Sequence, residues 1–268
     1  MKKYLRGEWI VKRKTLVLGV AMACLMLFAG GAALAHEIAI KPGASQATVG
    51  KALPITVHSA HVFIVSEELE TPADVKVFVL EDGKPVAVQL APNEKTKTFD
   101  GSVTFTKPGA GIILVHRLPQ IWTLTPDGMK KGTKKDFPGA IKSNRYEKFA
   151  KAIVPVNGST AGFDTVVGDR LELVPLTDPA KVKVGQDVDV KVLLDGQPTP
   201  AVVLATYNGF TKTPNTYAYY TETNDAGIAK VRITHPGLWM VRTEVKSVPA
   251  DGAVAQEALR STLTFFVK

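Results

Sequence analysis

Short stretches in which apolar and polar residues alternate, each closed by Gly, Pro or Asp, recur along most of the chain. Examples are Ile55–Ser59, Val75–Leu80, Val86–Leu90, Gly111–His116, Asp187–Leu194, Ala201–Tyr207, Ile228–Ile233, Leu238–Val245 and Leu263–Val267. A period of two marks a strand with one face on a core and one toward water, so the pattern predicts a mainly β protein.

The pattern also occurs twice. Val75-Lys76-Val77 leads into Asp82-Gly83-Lys84-Pro85, and later come Thr106-Lys107-Pro108-Gly109 and a strand from Gly111. In the second half Val190-Lys191-Val192 leads into Asp195-Gly196-Gln197-Pro198, followed by Thr234-His235-Pro236-Gly237 and a strand from Leu238. Asp-Gly supplies the positive φ of a tight reversal and Pro-Gly a second turn. The expected fold is two β-sandwich domains of immunoglobulin-like or related type in tandem, over residues 36–125 and 169–268. The stretch 126–168 is expected to be an irregular connector. Its basic cluster Lys130, Lys131, Lys134 and Lys135 reads as a solvated loop, with an interaction patch as the alternative. One short helix is expected there: Asn144 and Glu147 have capping-box spacing, and Tyr146, Phe149, Ala150 and Ile153 share a helical face before Pro155.

The N-terminus breaks the β pattern. Lys2, Lys3, Arg6, Lys12, Arg13 and Lys14 precede an uncharged run from Thr15 to Ala35 that closes on Ala33-Leu34-Ala35. A charged region, an apolar region and a small-x-small site predict a signal peptide over residues 1–35, cleaved after Ala35. A retained membrane anchor and lipidation at Cys24 are the alternatives.

That expectation changes the charge. Of 33 basic and 25 acidic residues, six and one lie in the first 35, which leaves 27 against 24, a net of +3. The high pI is thus largely a property of the leader, and no nucleic-acid partner follows from it. The only cysteine, Cys24, also lies there. Residues 36–268 therefore hold no disulfide, thiolate metal site, thiol nucleophile or haem-attachment motif. The sequence carries no GxSxG, no HExxH, no phosphate loop and no GxGxxG after a strand.

Five histidines remain as the chemical candidates. His36 stands directly after the cleavage site; its α-amine and imidazole Nδ1 can chelate one ion, and a further imidazole completes a nitrogen set suited to Cu(II) or Ni(II). His58 and His61 end a strand. Three residues apart on a regular strand they face opposite ways, so one rather than both is expected at a site unless the chain bends. Glu67, Glu68 and Glu70 follow; carboxylates of this kind orient or supplement imidazole ligands, and ordinary surface placement is the simpler alternative. His116 ends an apolar strand, where a site residue and a satisfied, partly buried histidine are both reasonable. His235 occupies the turn position held by Lys107 in the first half, and is expected to be exposed. Tyr207, Phe210, Tyr217, Tyr219 and Tyr220 lie in an insertion of the second half; they suit strand packing or a small-ligand or glycan surface.

Several phrases are similar to an exported domain-of-unknown-function family known as the periplasmic component of cobalt/nickel transport systems. They are Ala35-His36-Glu37, His61-Val62-Phe63, Tyr146-Glu147-Lys148-Phe149-Ala150-Lys151-Ala152, Gly168-Asp169-Arg170-Leu171-Glu172-Leu173-Val174-Pro175-Leu176, Asp195-Gly196-Gln197-Pro198 and His235-Pro236-Gly237-Leu238-Trp239. The resemblance implies a periplasmic, non-enzymatic protein whose mature chain does not span a membrane. It further implies binding of a divalent transition metal, Ni or Co with Cu possible by ligand chemistry, and delivery to an inner-membrane metal transporter. The resemblance carries His36 and His61 best; by ligand chemistry His36 is the expected anchor, with His61, His116 or His58 completing the site. A metal-free β-sandwich module for a cell-envelope glycan, peptide or protein is the alternative; an oxidative copper enzyme built on an N-terminal histidine brace is a third.

Overall fold

The computed structural model describes residues 36–249 and 252–268. The leader expected over residues 1–35, with Cys24 and the cleavage site, lies outside the described residues. No helix among the described residues is long and apolar enough to cross a membrane.

The first half holds β1 (Glu37–Pro42), β2 (Ala52–Ala60), β3 (Val75–Glu81), β4 (Lys84–Val88), β5 (Ala91–Asn93), β6 (Thr98–Thr104), β7 (Gly109–Thr125), β8 (Gly128–Lys131) and β9 (Lys142–Val156). The second holds β10 (Leu171–Pro175), β11 (Asp187–Leu194), β12 (Gln197–Pro198), β13 (Val202–Tyr207), β14 (Tyr219–Glu222), β15 (Ile228–Arg232), β16 (Gly237–Ser247) and β17 (Gln256–Val267). One sheet runs β1-β2-β6-β5, another pairs β10 and β15 on either side of β11, and a nine-stranded sheet runs β14-β13-β16-β17-β9-β7-β3-β4 with β8 on β7.

Each half follows the immunoglobulin-like plan. β1-β2-β6-β5 corresponds to strands A, B, E and D, and β4-β3-β7-β9 to C′, C, F and G. The second half repeats it with β10-β11-β15 and β14-β13-β16-β17. The two last strands, β9 and β17, pair in parallel from Asn144↔Gln256 to Ile153↔Phe265 and fuse the halves into one sheet.

A half-turn about an axis along that parallel seam exchanges the two faces of the shared sheet. The two smaller sheets accordingly pack on opposite faces. On β7 and β9, Ile113, Val115, Ala150, Ala152 and Val154 join the core with Ile38, Ile55, Val57 and Phe99. Their neighbours Ile112, Leu114, Phe149 and Ile153 join the core with Leu171, Val190, Val231 and Trp239. Burying such a side chain is worth roughly 1.5–3 kcal/mol, so these apolar positions stabilise one core or the other.

This corrects the expected helix. Residues 142–156 are strand β9, inside the stretch expected to be irregular. A strand buried on both faces loses its alternation and reads as a continuous apolar run, which mimicked a helical face here. The spacing of Asn144 and Glu147 has no capping meaning: the Asn144 amide donates to Tyr146 Oη (3.1 Å) and Glu147 accepts from His116 and Arg170.

The internal repeat is real, but half of its sequence alignment was local turn chemistry. Pro108-Gly109 and Pro236-Gly237 both lead from strand E to strand F, with glycine φ of 148° and 110°. The two Asp-Gly turns share positive φ, 50° and 75° against 48° and 78°. One, however, joins β3 to β4 and the other β11 to β12, so they are not equivalent by topology. Any two-residue hairpin favours such a pair.

Candidate metal centre

The β1–β2 register sets the site. Glu37 pairs with Ala60, so His36 and His61 face each other one step beyond the end of the ladder. Their ring centroids are 4.1 Å apart at an interplanar angle of 44°.

After His61 the chain reverses in a tight turn, with Ile64 at φ 54° and Val65 N–H donating to the Val62 carbonyl (3.0 Å). The returning chain is held by Glu67 N–H and Glu68 N–H on the Ser59 carbonyl, at 3.0 and 3.3 Å. Two carboxylates thereby reach the histidines. Glu67 Oε2 lies 2.8 Å from His61 Nδ1 and 3.5 Å from His36 Nε2, and Glu68 Oε2 lies 2.8 Å from His36 Nδ1.

The loop has a buried anchor. Glu70 is 5 % exposed, accepts from Lys148 Nζ (2.8 Å) and Ser59 Oγ (3.1 Å), and lies 3.9 Å from Arg117 Nε. Lys148 belongs to β9, so the residue that pins the loop comes from the central sheet. Burial pushes the Lys148 ammonium down, with Glu70 opposing and Arg117 reinforcing. The second half supplies another tether: Asn215 N–H donates to the His61 carbonyl (3.0 Å), and Tyr217 and Met240 line a cleft with His61 and Glu37.

Charge at the site favours ionised carboxylates. Glu67 is held below the ordinary carboxylate range: its partial burial opposes this, but the hydrogen bonds and charge of His61, with His36, prevail. Glu68 is lowered first by its hydrogen bond to His36, against burial, with further help from Lys148 and Arg117.

His36, His61 and Glu67 each offer one ligand atom, and these atoms lie within 4.8 Å of one another. Bonds of about 2.1 Å place donors on one ion at most about 4.2 Å apart, so a small side-chain rotation suffices. Glu67 Oε2 lies against both His61 Nδ1 and His36 Nε2, so an ion held by these three atoms takes the place of the His61–Glu67 hydrogen bond. His36 has Nδ1 occupied by Glu68, which leaves Nε2 toward His61 and Glu67.

The other two candidate histidines lie elsewhere. His58 pairs with Ala39 on β1 and Thr98 on β6, and its Nε2 is 2.8 Å from Thr56 Oγ1 while Nδ1 has no partner. Burial first, then Lys41, against Asp100, lowers its pKa to about 4, so the ring is neutral at pH 7. It lines the same cleft as His61 but is not part of the donor cluster.

His116 stacks on Phe149 (4.8 Å, 15°), on the face of the sheet that meets the second core, with Nε2 2.7 Å from Glu147 Oε1. Glu147 also receives Arg170 (3.0 Å), which bridges to Glu257 of β17 (3.0 Å), and Lys151 Nζ meets Glu172 at 2.5 Å. His116 therefore belongs to a polar seam between the halves. His235 is exposed and stacks on Tyr207 (4.4 Å, 6°), with Phe210 edge-on to the same tyrosine (5.3 Å). Sequence reading missed Asn215 and Lys148 as supports, because each acts through a contact distant in the chain.

Fold and cluster together define a tandem immunoglobulin-like β protein with a two-histidine, carboxylate-lined cluster at one end of its first sandwich. The chain belongs to the family described as a domain of unknown function, DUF4198, whose pattern matches residues 33–247. No curated protein matches the sequence. Among solved structures, a putative membrane anchored protein from Corynebacterium diphtheriae is 14% identical with a TM-score of 0.27, over 85% of this chain and 59% of that one. The D0-D1 domain of intimin is 13% identical (TM-score 0.22; 86% and 98% covered), and the Yersinia pseudotuberculosis adhesin InvE 10% (0.25; 88% and 61%). Likeness at this level says nothing of function.

Proposed function

We propose that this protein binds a divalent transition-metal ion through His36, His61 and Glu67, with Glu68 orienting His36. The observation that carries the reading is the convergence of His36 and His61, 4.1 Å apart, on a shared glutamate. Two imidazoles and a carboxylate suit Ni(II) or Co(II), and Cu(II) binds the same donors more tightly. Thiolate-dependent Zn or Cu(I) storage is disfavoured, since residues 36–268 hold no cysteine.

The same reading includes export, cleavage after Ala35 and a carrier role beside an inner-membrane metal transporter, with no enzymatic step. Cleavage frees the His36 α-amine, and an ion chelated by that amine and Nδ1 displaces Glu68 from Nδ1. Titration with Ni(II), Co(II) and Cu(II) tests the site: His61→Ala lowers affinity at least tenfold, and one extra residue before His36 weakens binding if the amine is a ligand. Unchanged affinity in His61→Ala rejects the site.

A second reading, a metal-free module for a cell-envelope glycan, peptide or protein, is favoured by exposed His235 and Phe210 stacked and edged on the half-buried Tyr207. Ligand binding that survives chelation and is lost in Tyr207→Ala supports it.

A further inference from the structure

Lys130 and Lys131 lie on strand β8, and Lys134 and Lys135 on a short 3-10 turn in the loop from β8 to β9, at the end of a β extension of the first sandwich. Beyond a bulge between Arg117 and Gln120, β7 continues to pair with the start of β9 on one side and with β8 on the other. Residues 126–142 form the far end of this extension.

The net charge of residues 126–142 equals that of residues 36–268 as a whole. Residues 126–142 contain Lys130, Lys131, Lys134, Lys135 and Lys142 against Asp127 and Asp136, a net of +3. Residues 36–268 as a whole carry 27 basic and 24 acidic side chains, also +3, so the rest of the molecule is balanced. Lys131 is paired with Asp74 and Lys130 with Asp127, while Lys134, Lys135 and Lys142 are exposed and make no ion pair among the described residues.

Apolar side chains stand among these lysines. Met129 is 37% and Ile141 57% exposed, and both border Leu124: Met129 is its ladder partner, and Ile141 N–H donates to its carbonyl at 2.8 Å. The register also puts Trp122, Leu124, Met129, Lys131 and Lys142 on one face. Trp122 is half-buried and pairs with Lys131, three rungs behind the Thr125–Gly128 end of the ladder.

We propose that the end of this extension docks on an anionic lipid surface, with Met129 and Ile141 entering the interface and the lysines meeting phosphate headgroups. Lysines with long apolar stems around a small apolar tip, and a tryptophan behind it, are the chemistry of a membrane–water boundary. A nucleic-acid surface is disfavoured because the segment has no arginine and no exposed aromatic to stack on a base. The inference does not depend on the metal site.

The test uses the full chain with Cys24→Ser, so that an engineered cysteine is unique. An environment-sensitive fluorophore is placed at Met129→Cys, or as a control at Val184→Cys in the turn before β11. Vesicles of phosphatidylcholine alone are compared with vesicles also containing phosphatidylglycerol. The N-terminal basic and apolar run is common to every sample, so the decisive comparison is the triple change Lys134→Glu, Lys135→Glu and Lys142→Glu.

The expected result is a blue shift at position 129 on phosphatidylglycerol vesicles only, absent at position 184, lost in the triple variant and lost in high salt. Circular dichroism and the emission of the fully buried Trp239 check that the triple variant is folded. Equal shifts on both vesicle types, no shift on either, or an unchanged shift in a folded triple variant overturns the proposal.

Discussion

His36 and His61 face each other because Glu37 and Ala60 are ladder partners; the pairing of two strands, not the spacing of a motif, brings their rings to 4.1 Å. A one-residue slip of β1 would turn Ile38 and Ile40 out of the first core and separate the two rings. Core packing therefore holds the candidate site in place.

The Glu70–Lys148 pair is predicted to dominate the stability of the loop that carries Glu67 and Glu68. Both side chains are 5% exposed and 2.8 Å apart. Removing one partner leaves a buried charge, so Glu70→Ala is expected to cost about 3–5 kcal/mol by chemical denaturation. The double change Glu70→Leu with Lys148→Met is expected to recover part of that loss, since Arg117, buried beside the pair, still loses its carboxylate. Equal loss in both variants would mean that the pair matters through shape and not charge.

His58 gives the fold a specific acid sensitivity. Its pKa falls from 6.5 to about 4 in the folded state, so the unfolded chain binds the extra proton between those values. Stability is expected to drop as pH falls from about 6.5 to 4, by on the order of 3 kcal/mol from this residue. Urea denaturation across that range should show a shallower acid loss in His58→Gln than in the parent protein; parallel curves contradict the assignment.

Asp169 acts in the opposite sense. Burial first, then Glu172 and Glu147, against Lys151 and His116, raises its pKa from 3.8 to about 6. The folded state holds the proton more tightly, so this residue's contribution falls as pH rises through that window. Asp169→Asn is expected to stabilise the protein at pH 7, by up to about 3 kcal/mol, and to change little below pH 4. Destabilisation at pH 7 would show that the carboxylate is needed in the seam.

Alternation along β2, β11 and β16 revealed the β class, and the Pro-Gly turns at 108–109 and 236–237 revealed two related halves. What alternation cannot reveal is a strand with two buried faces. In β9, Phe149 and Ala150 serve different cores, so the period of two vanished and a helix took its place in the reading. The candidate site was legible in kind: histidines followed by glutamates near a strand end. Its membership was not. His58 and His116 have the same chemistry as His61, and only strand pairing and sheet faces separate them. Glu70 was visible as an acid, but its partner Lys148 lies in β9, and nothing local joins the two.

The central claim is that one metal ion sits between His36, His61 and Glu67. Anomalous diffraction recorded at the nickel edge from crystals soaked in Ni(II) tests it most directly. The account predicts a peak about 2.1 Å from one nitrogen of each histidine and from a Glu67 oxygen, absent in His61→Ala crystals. A peak only at His116 or His235, or none at all at saturating Ni(II), would contradict it.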